Sequence, residues 1–178
     1  ELDQSFGTGP VPNMDEGWGR VDLAPIFAAG LTFDYVDQTA PLTNGQTFTR
    51  RIVVADANAP LKITLAYTDV PGFPGAAKAL VNDLDLEVVA PDGTLYRGNQ
   101  FQDGESIPNA ANADNINNVE GVFLSAPAPG EYVVRVRARS VSEDARVDTP
   151  AIDQDFALVT SADLAAAGQG VVSFDCGA

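Results

Sequence analysis

The chain has 178 residues, 45% of them hydrophobic, enough for one domain with a sizeable core, and it contains no apolar run long enough for a membrane helix. Its 25 acidic residues outnumber 10 basic ones, and a formal charge of −15 disfavours nucleic acid and anionic membrane as partners. Histidine is absent and cysteine occurs once, at Cys176, which excludes a self-contained Ser-His-Asp hydrolase, a His-based zinc site and an internal disulfide.

In chain order, residues 1–12 read as a loop or extended arm. Trp18 between Gly17 and Gly19 reads as an aromatic anchor at a core or interface. Asp22 can cap a brief helix from Leu23 to Ala29, with Pro25 in its first turn and Gly30 as its stop. From Leu31 the pattern changes to strands: 31–36, then 46–55 after an Asn44-Gly45 turn, then 61–69, where Leu61, Ile63, Leu65 and Tyr67 alternate with polar residues.

The segment Val81 to Gly93 organises the rest. In a strand Leu84, Leu86 and Val88 share one face, while Asp83, Asp85 and Glu87 stand together on the other. Three carboxylates in a row need either bulk water or a cation. The row is thus either a solvated acidic face or a site for a hard cation such as calcium, which prefers several oxygen ligands. Pro91-Asp92-Gly93 turns the chain into a short return strand at 94–97.

Residues 101–116 form a long connection rich in Asp and Asn, the kind that is either functional or tied down by a ligand. Further strands are expected at 119–125 and 131–140, where Tyr132, Val134, Val136 and Ala138 face one way and Arg135, Arg137 and Arg139 the other. Three arginines on one face of so acidic a chain are expected to pair with carboxylates on the next strand or on a neighbouring domain. A final sandwich strand is expected at 155–161, then an Ala- and Gly-rich linker over 162–170 and the start of another strand at 171–174. About eight short strands and one short helix predict an all-β, jelly-roll-like antiparallel β-sandwich.

Gly17-Trp18-Gly19-Arg20-Val21-Asp22-Leu23 resembles the closing segment of the catalytic domain of subtilisin-like serine proteases, whose Asp, His and Ser all lie upstream of that point. Then, in order, come Leu65-Ala66-Tyr67-Thr68-Asp69, Asn82-Asp83-Leu84-Asp85-Leu86, Pro91-Asp92-Gly93, Asp114-Asn115-x-Asn117-Asn118-Val119-Glu120, Gly130-x-Tyr132 and Asp155 to Val159. This string is similar to the C-terminal β-sandwich of bacterial subtilases, related in architecture to the P domain of proprotein convertases and to pre-peptidase C-terminal domains.

The resemblance implies three parts: 1–30 as the tail of a catalytic domain, 31–164 as an accessory sandwich, and 165–178 as a linker and the start of a possible further domain. It implies a secreted, non-catalytic, calcium-stabilised module that supports the stability or substrate access of a serine endopeptidase domain joined to it in cis. The candidate calcium ligands are Asp69, Asp83, Asp85, Asp114, Asn117, Asn118 and Glu120. The metal-free alternative for these residues is a net of Asx turns and side-chain to backbone hydrogen bonds. A rival from another class is an extracellular carbohydrate- or protein-binding module, which predicts a planar platform drawn from Tyr35, Phe73, Tyr96 and Phe101. A purely structural stalk is a third.

Overall fold

The computed structural model of the chain describes residues 9–13, 15–27, 31–57, 59–165 and 173–175. Residues 1–8 of the expected arm over 1–12, the Gly30 stop, residues 166–170 of the expected linker over 162–170 and Cys176 lie outside the described residues; the described start of that stretch is no linker, since Ala162 ends the strand Ala157–Ala162 and Leu164 bridges Val54. Alternation of apolar and polar residues lets a strand bury one face and wet the other, and the long strands form where that pattern is cleanest. They are β1 (Thr32–Asp37), β2 (Leu42–Thr43), β3 (Thr47–Val54), β4 (Leu61–Ala66), β5 (Asp83–Val89), β6 (Leu95–Arg97), β7 (Phe101–Gln102) and β8 (Glu105–Ser106). The remainder are β9 (Val119–Leu124), β10 (Gly130–Ser140), β11 (Asp153–Gln154), β12 (Ala157–Ala162) and β13 (Ser173–Asp175).

Two antiparallel sheets pack face to face. One has the order β1-β12-β4-β9, the other β13-β3-β10-β5-β6. Without β13 this is the strand order of a jelly roll, two four-stranded sheets woven from eight strands, so the expected fold class is the observed one. β13 pairs with β3 and extends the second sheet at its edge. The small pairs β2 with β11 and β7 with β8 close the corners.

The core lies between the sheets. Leu61, Ile63 and Leu65 of β4, Leu84, Leu86 and Val88 of β5, and Val134 and Val136 of β10 are fully buried, the faces that alternation assigned inward. Tyr132, Ala138 and the edge-on pair Phe48 and Phe156, 5.4 Å apart, complete it. At one side Arg50 of β3 clamps Asp34 of β1 through two hydrogen bonds, its Nε at 2.8 Å, and so ties the two sheets together.

The hairpin at 90–94 forms as expected: Gly93 adopts φ +86°, which favours glycine, and its N–H donates to the Ala90 carbonyl at 2.9 Å. At the expected N-terminal helix Asp22 accepts from the Ala24 N–H at 2.9 Å, and the described part of the segment is a 3₁₀ turn, Ala24–Phe27; Ala28 and Ala29 lie outside the described residues. The long connection after β6 is less irregular than its composition implies, since β7 and β8 form a miniature hairpin within it.

Candidate functional site

The acidic row of β5 lies on the outward face of its sheet, yet Asp83, Asp85 and Glu87 are each at most 5% exposed. The long side chains of neighbouring strands cover them. Arg97 of β6 reaches Glu87 at 2.5 Å, with Arg137 of β10 at 3.4 Å from the same oxygen; Arg139 stands 3.7 Å from Asp85 and Lys78 3.5 Å from Asp83. Register sets Arg135 opposite Glu87 and Arg137 opposite Asp85, so the β10 contacts run one pair diagonally along the ladder. The row is therefore neither solvated nor bare. Compensation is incomplete all the same, because Asp83 Oδ1 and Asp85 Oδ1 are buried without a hydrogen-bond partner. Burial and the neighbouring Asp83 push the Asp85 carboxyl up to about 6, with Arg139 opposing.

Glu120 reaches the same strand from the other sheet. β6 ends at Arg97, which leaves the Leu86 N–H of β5 without a strand partner, and Glu120 Oε2 accepts it at 2.8 Å. The Leu86 carbonyl is met by the Gly98 N–H at 2.9 Å. Glycine is required at 98, because a Cβ there would overlap the Glu120 carboxyl. Only 1% of Glu120 is exposed and its Oε1 has no partner. Burial above all, with Asp85, Asp114 and Asp83 adding to it and the Leu86 bond opposing, pushes this carboxyl up to about 9. At neutral pH Glu120 is an uncharged acid that stands in for a missing strand.

The other predicted ligands are engaged by backbone groups and by side-chain amides. Asp69 Oδ1 accepts from the Val70 and Asn82 N–H groups and its Oδ2 from Val81 at 2.7 Å, so one carboxylate closes the 70–81 loop on itself. Asp114 Oδ1 accepts from Ile116 and Asn117, and its Oδ2 from the side-chain amides of Asn99 and Asn117, both at 2.6 Å. Burial raises the Asp114 carboxyl, but those amides and N–H groups together outweigh it and hold the group below the ordinary range. Asn118 donates to the Tyr67 carbonyl at 2.8 Å. Of the seven candidates, Asp83, Asp85 and Glu120 keep a buried, unpartnered oxygen. Among the described residues no three Asp, Glu or Cys side chains are grouped closely enough to hold a metal ion by themselves.

Two buried amides escaped sequence reasoning. Asn82 and Gln154 have no exposed surface. Asn82 Oδ1 accepts from Ser142 and Glu143, and its amide donates to Gln154 and to the Glu143 carbonyl, while Gln154 donates to the Thr68 and Asp155 carbonyls. Nothing in their spacing singles them out. Only the approach of two loops distant in sequence gives them their partners.

The N-terminal segment is seated by Trp18, whose ring lies over Gly121, 2.9 Å from where a Cβ would stand. Phe101 and Phe123 meet it edge-on at 6.2 and 5.8 Å, and the Lys62 ammonium lies 5.6 Å above the Phe123 ring. An open cleft of about 870 Å³ separates Arg20 to Asp22 from Pro60, Lys62 and Glu105. Beyond Trp18 the chain leaves Val21, Leu23, Ile26 and Phe27 in solvent. Of the four aromatics named for a carbohydrate- or protein-binding platform, Tyr35 and Phe73 are exposed, whereas Tyr96 packs on the core and Phe101 belongs to the Trp18 cluster.

No helix among the described residues is long and apolar enough to cross a membrane. No protein-family model matches the sequence. The chain is similar to a Dictyostelium discoideum protein named Serine protease/ABC transporter B family protein tagA, with 30% identity over 145 residues. That match takes in 74% of this chain but only 8% of the relative, so the likeness is to one small part of a protein whose name includes serine protease.

Proposed function

We propose that the chain is a non-catalytic accessory jelly roll of a secreted subtilisin-like serine endopeptidase, joined in cis to a catalytic domain whose stability or substrate access it supports. The observation that carries this reading is the N-terminal segment. Trp18 fastens it to the sandwich, while Val21 and Phe27, 82% and 83% exposed, are held out with Leu23 and Ile26 as an apolar strip that none of the described residues covers. Such a strip is what a preceding domain would bury. The Gly17 to Leu23 resemblance and the likeness to a protease-named protein support the same assignment. Peptide-bond hydrolysis would belong to that preceding domain, since a chain without histidine supplies no such triad. Hydrogen exchange at 20–27 in the parent polypeptide tests the docking. Exchange slowed by about tenfold or more relative to this chain is expected, and equal exchange would refute it.

Calcium is part of the proposal, and the two unpartnered oxygens of the acidic row support it. Asp83 and Asp85 would hold the ion through those oxygens, with other oxygen donors completing the shell. Bound there, calcium would supply the positive charge that the arginines above the row leave short. Titration of EDTA-treated protein by calorimetry, with melting in excess calcium and in excess EDTA, tests this. A calcium-dependent rise in Tm that Asp85→Asn abolishes is expected; no heat and no shift on folded protein would remove calcium from the reading.

A further inference from the structure

Independently of the protease association, we propose that the end of the sandwich farthest from the N-terminal segment is a docking surface for a basic polypeptide with apolar side chains at its centre. The antiparallel register gathers the last residues of β1 and β4 and the first residues of β9 and β12 at one end. Three connections reach that end: 67–82, the last part of 107–118, whose Asn109 is held at the other end by Leu95 of β6, and 141–156, which contains β11. Each holds large apolar side chains in water: Phe73 at 71% exposure, Ile116 at 69%, Ile152 at 55%, and Val147 with no cover at all. The Arg20 to Asp22 stretch lines its cleft with Pro60, Leu124 and Ser125, which belong to the opposite end, so a domain joined at the N-terminus would leave these loops free.

The loops are held rigidly. Asp69 clamps the first, whose limbs touch where a Cβ on Gly72 would stand 2.7 Å from the Ala79 carbonyl. The Asn82 and Gln154 amides stitch the first loop to the third. Asn118 and Tyr67 exchange two hydrogen bonds that fix the end of the second, and Arg146 anchors the third to the Gln38 carbonyl at 3.0 Å. Apolar anchors on a preorganised frame lose little conformational entropy on binding, which is the condition for an effective interface.

Charge selects the partner. Together these connections carry seven Asp and Glu, five of them in 141–156, against two cations, Lys78 and Arg146, which are paired with Asp83 and Asp148. The field over this end is negative, which attracts a basic polypeptide and repels anionic membrane, nucleic acid and a second copy of this chain.

The experiment measures fluorescence anisotropy of a labelled lysine–leucine amphipathic peptide with the full chain, beside lysine–serine and glutamate–leucine peptides. The lysine–leucine peptide is expected to bind, with Phe73→Ser and Ile116→Ser each weakening it by about tenfold at unchanged Tm, and with Val53→Ser at the other end leaving it unaltered. Equal binding of the lysine–serine peptide, parental affinity in both loop variants, loss of binding in Val53→Ser, or a loop-dependent dimer in sedimentation would each overturn the proposal.

Discussion

Replacing Glu120 with glutamine tests the electrostatics of the seam between the sheets. The folded protein holds this carboxyl at about 9 against an ordinary 4.5, so between those values the folded state keeps a proton that the unfolded chain has released. The stability contribution is complete below 4.5 and declines as pH rises, flattening only above about 9. At pH 7 the gap from 4.5 corresponds to about 3 kcal/mol, at 1.36 kcal/mol per unit. Glutamine keeps the oxygen that accepts the Leu86 N–H and carries no charge to bury. In urea unfolding from about pH 5 to 9 with EDTA present, Glu120→Gln is therefore expected to be more stable at pH 7 by up to about 3 kcal/mol, with most of the wild-type decline removed. A variant that is less stable at pH 7, or that declines in parallel with the wild type, would refute the neutral-carboxyl account.

The same contacts set the outcome of three other substitutions. Asp69→Ala leaves the Val70, Val81 and Asn82 N–H groups without their acceptor, and a loss of about 2–4 kcal/mol is expected in chemical denaturation, with faster exchange confined to 70–82. Gly98→Ala forces a Cβ into the Glu120 carboxyl and should cost about 1–3 kcal/mol; combined with Glu120→Ala the penalty should be less than additive, and strict additivity in melting experiments would refute the contact. Trp18→Ala removes the ring from Gly121 and its edge contacts with Phe101 and Phe123. A loss of about 2–3 kcal/mol with faster exchange across 13–20 is expected, and no change in exchange there would show that Trp18 does not seat the segment.

The jelly roll gives the carboxylate row its character. A row on an edge strand, or under short polar neighbours, would be wet and cheap to ionise. Here β5 lies between β10 and β6, both of which lay arginines over it, and Glu120 closes the gap where β6 stops short. Two unpartnered aspartate oxygens and one neutral glutamate are what remains when burial outruns the available positive charge. Any cation the domain takes up would be expected to relieve that deficit first.

Much of this was legible in the chain itself. The inward faces of β4, β5 and β10 and the turn at 91–93 follow from alternation and local turn residues, and the expectation that the β10 arginines meet carboxylates follows from charge; charge leaves open that the carboxylates Arg137 and Arg139 meet are those of the acidic row. The all-β class follows from counting such segments. Tertiary structure decided what local order leaves open. The burial of Asp83, Asp85 and Glu87 depends on which strands flank β5, and the diagonal pairing depends on their register. The neutral state of Glu120 requires that β6 end at Arg97 and that Gly98 leave room, and the Asn82–Gln154 hub requires two loops far apart in sequence to meet. Each of these turns on the approach of segments separated by tens of residues, and desolvation, which sets the cost of a buried charge, is a property of that approach and of no single stretch.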